Sequence, residues 1–156
     1  MAQIEGEIVI GRPVEEVFDF VADERNEPRF DRQMLSAELL TPEPIGSGSR
    51  FAVEMRMMRH TVDMTVEFTQ FERPSLLGST SRSATRGGRG QAMLTSGTLT
   101  FEPVSRGTRM RWAWQVETPG RMKILAPVIV WMGRRQEQRI WGSLKRLLED
   151  QTQPQP

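Results

Sequence analysis

The sequence predicts an α+β fold: a curved antiparallel β-sheet wrapped around a long C-terminal α-helix, with two short helices after the first strand. Three observations predict it. Helical spacing occurs early, in Pro13–Val21, and again at the end, in the helix that closes on Leu144-Lys145-Arg146-Leu147-Leu148-Glu149. Between them the apolar residues recur with a period close to two, which belongs to antiparallel strands with one buried and one wet face. The last apolar stripe is long enough for a sheet to curl around. Strands gathered between terminal helices make an architecture suited to enclosing apolar space.

The elements follow in order. Ile4, Gly6, Ile8 and Ile10 alternate with Glu5, Glu7 and Val9 as a half-buried strand. Pro13 sits where a first helical turn accepts it, and Val14, Val17, Phe18 and Val21 recur at helical spacing. The charged stretch Asp23–Pro28 breaks that helix, and Arg29-Phe30-Asp31-Arg32 forms a second, shorter turn or helix. A strand over Met34–Leu40 ends in the corner Pro42/Pro44/Gly46/Gly48. Phe51, Val53, Met55 and Met57 then share one face. After a turn at Arg59-His60, so do Val62, Met64, Val66 and Phe68. Pro74 opens a strand through Leu76 and Leu77 toward Arg82, and the glycines of Arg86-Gly87-Gly88-Arg89-Gly90 mark a turn. Met93, Thr95, Gly97, Leu99 and Phe101 line one face of the next strand; Met110, Trp112, Trp114 and Val116 line one face of the last.

Thr118-Pro119-Gly120 stops the sheet, and Pro127 kinks or starts the main helix. From Val128 to Glu149 that helix runs about 33 Å. Leu125, Ile129, Met132, Ile140 and Leu147 form its apolar stripe, widened by Trp141, Leu144 and Leu148. Residues 151–156 have nothing to bury and are expected to be a disordered tail, leaving one domain over residues 1–150.

Composition narrows the function classes. The chain has 156 residues, enough for a core without staples. With no cysteine there is neither disulfide nor thiolate chemistry. Twenty-one basic against 20 acidic residues leave a net charge of +1, so no global field draws nucleic acid, and no nucleic-acid partner is expected. The longest apolar run, Ile124–Met132, is far short of the roughly 20 residues that span a bilayer, so no integral membrane association is expected. The N-terminus lacks the pattern of a signal peptide, and a cytoplasmic location is expected.

Several motifs carry a resemblance. Pro13-x-x-x-Val17-Phe18-x-x-Val21 is followed by Pro28-Arg29-Phe30-Asp31, by Gly46-Ser47-Gly48-Ser49-Arg50-Phe51 and by Phe71-Glu72-Arg73-Pro74. Phe101-Glu102-Pro103, Gly107-Thr108-Arg109-Met110 and the closing Leu144–Glu149 complete the series. In their order and spacing the chain resembles the START-like, or SRPBCC, superfamily, near its polyketide cyclase/dehydrase group. The resemblance implies a helix-grip (START-like/Bet v 1-like) fold with a deep cavity between the sheet and the C-terminal helix. Such proteins bind lipids, sterols, polyketides or hormones, and some are cyclases or dehydratases; fold does not choose between these.

Candidate chemistry is sparse, and no catalytic residue is legible. His60 is the only histidine and sits at a hairpin turn without companions at ligand spacing, so no metal site and no cofactor is expected. Alternation points Trp112 and Trp114 inward, where they act either as an aromatic wall for a ligand or as core. Met55, Met57, Met64, Met93, Met110 and Met132 make the interior pliable, as ordinary core or as an adaptable lining. Gln136 interrupts the apolar stripe and needs a partner if buried: water, an inward strand residue, or a ligand's polar end. Gly133, one turn earlier, leaves room beside the helix. Arg82 is a further polar candidate for the lining on the resemblance, and a solvent residue on general grounds. The expected ligand contacts are Phe51, Val53, Met55, Met64, Val66, Phe68, Leu99, Phe101, Trp112, Trp114, Met132, Gln136 and Ile140.

These features favour a carrier or sensor for a small hydrophobic molecule (lipid, polyketide or aromatic metabolite), monomeric or homodimeric. A polyketide cyclase or dehydratase working in the same cavity is the alternative, weakened by the lack of any tyrosine to donate a proton. A protein-interaction module of the Hsp90-activator or ribosome-associated type is the third reading. It would act through the outer sheet face or the Gly87-Gly88 hairpin.

Overall fold

A computed structural model describes residues 2–57, 59–85, 93–117 and 120–151. The Arg86–Gly90 turn, Thr118, Pro119, residues 152–156 of the tail and the side chain of Met57 lie outside what is described.

The alternating segments become β1 (Ala2–Ile10), β2 (Met34–Leu39), β3 (Arg50–Met57), β4 (His60–Glu72), β5 (Leu76–Thr85), β6 (Met93–Val104) and β7 (Gly107–Glu117). They form one seven-stranded sheet in the order β1-β7-β6-β5-β4-β3-β2, antiparallel at every junction. The two helices are α1 (Val14–Val21) and α2 (Ala126–Asp150). The sheet is the antiparallel one that the alternation predicts, in the helix-grip arrangement that the resemblance implies.

Register fixes which side chains face the helix, because directly paired residues share a face. One row across the sheet runs Phe51, Val66, Ser81, Thr95, Val116 and Ala2; the next runs Phe68, Ser79, Gly97, Trp114 and Ile4. At one end the inner face is packed solid. Phe18 of α1, wholly buried, meets Phe71 and Phe101 edge-to-face at 5.3 and 5.2 Å, and Phe51 lies 5.2 Å from Phe68. Such pairs add about 0.5–1.5 kcal/mol each beyond area burial.

The second short helix is a 3-10 turn at Glu24–Arg29, earlier in the chain than the sequence pattern places it. Asp23 starts it by accepting from the Arg25 N–H at 3.1 Å, a cap that the reading of this stretch as a charged breaker overlooks. Pro127 starts α2 rather than kinking it, since a first turn needs no donor there. A 3-10 turn over Gly120–Leu125 precedes it, so Leu125 lies outside the long helix.

The apolar stripe of α2 also needs correction. Its buried residues are Ile140, Trp141, Leu144 and Leu148, while Leu125 and Met132 are 52% and 54% exposed and Leu147 is half-buried. The C-terminal half packs more closely on the sheet. There Lys145 Nζ donates to the Val9 carbonyl at 2.8 Å and to Glu149 at 2.7 Å, and the Gly11 N–H donates to Glu149 at 3.1 Å. The N-terminal half, with Val128 and Trp131 largely exposed, still meets the sheet where Gly133 lies against Ile4 and where Glu137 accepts from Trp114.

Candidate functional site: a cavity with an acidic end

Beneath α2, a cavity of about 380 Å³ opens between helix and sheet. Its floor is Met55 of β3, Met64 and Val66 of β4, Leu77, Ser79, Ser81 and Ser83 of β5, and Met93, Thr95 and Leu99 of β6. Trp114 and Val116 of β7 and Ile4 of β1 form one side. Ile129, Met132, Gly133, Gln136, Glu137, Ile140 and Trp141 of α2 form the roof. Val21, Glu24, Glu27, Phe30, Asp31 and Met34 close one end. The volume falls in the range of small-molecule pockets, roughly 300–1,000 Å³.

The space exists because β5 puts small side chains on its inner face. Ser79, Ser81 and Ser83 continue the parity of buried Leu77, and Thr95 stands opposite Ser81. In a filled core these places would hold large apolar groups. The period-two serine run is a signal in the sequence that the reading of β5 passed over.

Of the residues expected to touch a ligand, Met55, Met64, Val66, Leu99, Trp114, Met132, Gln136 and Ile140 line the cavity. Phe51, Val53, Phe68, Phe101 and Trp112 do not; each is at most 3% exposed and packs as core. Identical parity therefore does not mean identical role. The two tryptophans divide accordingly. Trp112 lies over Gly6, where a Cβ would sit 2.3 Å from its ring, and stacks 6.1 Å from Trp141. Trp114 leans over Gly97, where a Cβ would meet the Ala113 carbonyl at 1.9 Å and this ring at 2.8 Å. Trp114 stays half-buried on the wall.

The remaining candidates resolve simply. Gln136 donates to Gln33 Oε1 at 2.9 Å, a partner just before β2 that was not among the expected ones. The room beside Gly133 is filled by Ile4, whose Cδ1 would lie 2.3 Å from a Cβ there. Arg82 is exposed, with its strand parity opposite to Ser81 and Ser83, and is not part of the lining. His60 is exposed at the start of β4. No group of three or more His, Cys, Asp or Glu among the described residues is placed to hold a metal ion.

The carboxyl groups were missed by sequence reasoning, which took Asp23–Pro28 only as a break after the first helix. Glu24, Glu27, Asp31 and Glu137 all line the cavity. Burial raises Glu24, with Asp23 and Asp31 adding repulsion against the hydrogen bond from Glu27. Burial pushes Glu27 well above the ordinary carboxylate range, and the charge of Glu24, the hydrogen bond to it, Asp31 and Glu137 all push the same way. Glu27 therefore holds its proton to higher pH than an ordinary glutamate, and the hydrogen bond it shares with Glu24 favours the proton on Glu27. Glu137 is raised by burial, against two indole donors: Trp114 Nε1 at 3.0 Å and Trp141 Nε1 at 2.7 Å on the same oxygen. Burial also raises Asp31, opposed by the Gln33 N–H and by the charge of Arg139. Arg139 borders a second groove of about 420 Å³ together with Arg32 and Arg146.

A curved sheet gripping a long helix around such a cavity is a helix-grip fold. The family described as "Polyketide cyclase / dehydrase and lipid transport" matches residues 1–149, and the chain belongs to it. Among solved structures, a conserved protein from Geobacillus kaustophilus aligns with TM-score 0.79 at 13% identity over 95% of each chain. A START superfamily protein from Mycobacterium smegmatis aligns with TM-score 0.74 at 11% identity, over 97% of this chain and 100% of that one. Ara h 8.0201, of the Bet v 1 type, aligns with TM-score 0.66 at 13% identity, over 95% and 97%. Identities this low establish the fold alone. No curated protein sequence matches significantly.

No helix among the described residues is long and apolar enough to cross a membrane.

Proposed function

We propose that the protein is a cytoplasmic carrier or sensor that holds a small hydrophobic molecule, a lipid, polyketide or aromatic metabolite, in the cavity beneath α2. The observation that carries this reading is the cavity itself: about 380 Å³ walled by Met55, Met64, Val66, Met93, Leu99 and Trp114. Desolvating an apolar ligand against such a wall is worth about 25 cal/mol per Å², and the thioethers adapt to its shape. The test is titration with N-phenyl-naphthylamine, a neutral apolar fluorophore. Its emission should rise saturably with the wild-type protein and stay flat with Ser81→Leu, which fills the floor. A flat response from the wild type defeats the reading.

The Glu24–Glu27 pair favours a second reading, the cyclase or dehydratase. Two carboxyls whose surroundings push their proton affinities apart can act as general acid and general base. Glu27→Gln should then abolish turnover of a poly-β-keto thioester mimic without lowering thermal stability. Unchanged turnover removes the pair from any mechanism.

A further inference from the structure

One end of the cavity gathers its carboxyl groups. Its lining includes Glu24, Glu27, Asp31 and Glu137 but no lysine, arginine or histidine among the described residues. The nearby Asp23 is satisfied differently: its oxygens accept from the Arg25 guanidinium at 2.9 and 2.8 Å. No cation among the described residues lies at hydrogen-bond distance from the cavity carboxyls, and Arg139 acts on Asp31 through its charge alone. Asp31 is the sharpest case. It is 3% exposed; Oδ1 accepts from the Gln33 N–H at 3.0 Å, while Oδ2 is buried with no hydrogen-bond partner among the described residues. A buried carboxylate oxygen left unpaired is costly, and its lone pairs accept only from a donor.

The aromatic surroundings point the same way. Trp114 and Trp141 line the cavity, and both indole N–H groups are spent on Glu137. Neither indole N–H is therefore left to donate to a ligand's polar group. An acceptor without a donor, carboxyls without a cation among the lining residues described, and indole donors already spent together describe the surroundings of an ammonium group.

We propose that the ligand is an amphipathic amine: an apolar body lying on the methionine and serine floor, and an ammonium nitrogen bearing at least one N–H at the Glu24/Glu27/Asp31/Glu137 end, donating to Asp31 Oδ2. This rests on the reading of the cavity as a hydrophobic-ligand site and names the ligand's polar group. Fatty acids and other carboxylates are disfavoured, because they would add another acid to the cluster. Binding draws the proton from Glu27 by charge complementarity. Affinity should therefore rise as pH increases, with Glu24, Asp31 and Glu137 facing the same ammonium and Arg139 opposing from the outer groove.

The experiment compares octylamine, octanol and octanoate by Trp fluorescence and calorimetry near neutral pH, on the wild type, on Glu27→Gln, and on the combined Glu24→Gln/Glu27→Gln/Asp31→Asn variant. A charge-assisted hydrogen bond in place of a neutral one makes octylamine bind about tenfold tighter than octanol, with octanoate weakest. That preference should shrink in Glu27→Gln and vanish in the combined variant, where octylamine and octanol then bind alike. Equal affinities of amine and alcohol, a preference for octanoate, or an amine preference that survives in the neutralised variants overturns the proposal and leaves the cavity reading standing. If none of the three compounds binds the wild type, both fall. Should the combined variant not fold, the wild-type series and Glu27→Gln decide alone.

Discussion

The two ends of the inner sheet face are made by the same strands and the same alternation, yet one is solid and the other hollow. Along β4, Phe68 is fully buried, Val66 nearly so, and Met64 only half-buried. Along β7, Trp112 is 2% exposed while Trp114, two residues on, stands on a cavity wall. Hydrophobic residues are present at both ends, so hydrophobicity does not distinguish them. Volume does: α1 delivers Phe18 into a cluster of aromatic rings at one end, whereas β5 offers Ser79, Ser81 and Ser83 at the other. A pocket here is a deficit of side-chain volume under a helix that packs more closely at its other half.

The largest expected effect comes from testing this contrast on the neighbouring tryptophans. Trp112→Ala should cost about 3–5 kcal/mol in denaturant unfolding, as for any core tryptophan. Trp114→Ala should cost about 2 kcal/mol, since part of its surface already faces open space, but should abolish binding of the apolar fluorophore. Equal losses would mean that the two ends are packed alike. Next, Ser81→Leu should raise stability by about 1 kcal/mol as it fills the hollow; a destabilised variant would show that no room exists there.

The smallest effect is a pH dependence. Below the ordinary glutamate value of 4.5, Glu27 is protonated in both the folded and the unfolded chain, and its contribution to stability is intact. As pH rises through the raised folded value, the unfolded chain ionises freely and the folded one resists, so stability is lost. Glu27→Gln removes this loss: its melting temperature should match the wild type at low pH and exceed it increasingly toward pH 8. A variant less stable than the wild type at every pH would assign Glu27 a structural role instead.

The sheet was legible because alternation is a local property: Phe51-x-Val53-x-Met55 or Met110-x-Trp112-x-Trp114 declares its faces without knowing what lies above them. The partition of those faces into core and wall was not. Phe68 and Val66 read alike in sequence, and only the placement of α1 over one and the N-terminal half of α2 over the other separates them. The long helix was legible in extent but not in rotation, because Met132 and Leu147 fit an apolar stripe that tertiary packing shifts toward Trp141 and Leu144. The acidic end was hidden for a different reason. Charged residues in Asp23–Pro28 read as a break after the first helix, and the three-residue spacing of Glu24, Glu27 and Phe30 gains meaning only when a 3-10 turn seats that segment across the cavity.

The strand that begins the chain lies beside the strand that ends the sheet, with Ile4 opposite Trp114 and Ile8 opposite Met110. During synthesis, β1 therefore waits without its neighbour until residues beyond 107 have been made, and α2, which rests on Val9 and Ile4, comes later still. No N-terminal fragment ending before β7 contains the tryptophan wall or the helical roof. The cavity is thus enclosed only once β7 has paired with β1 and α2 has docked.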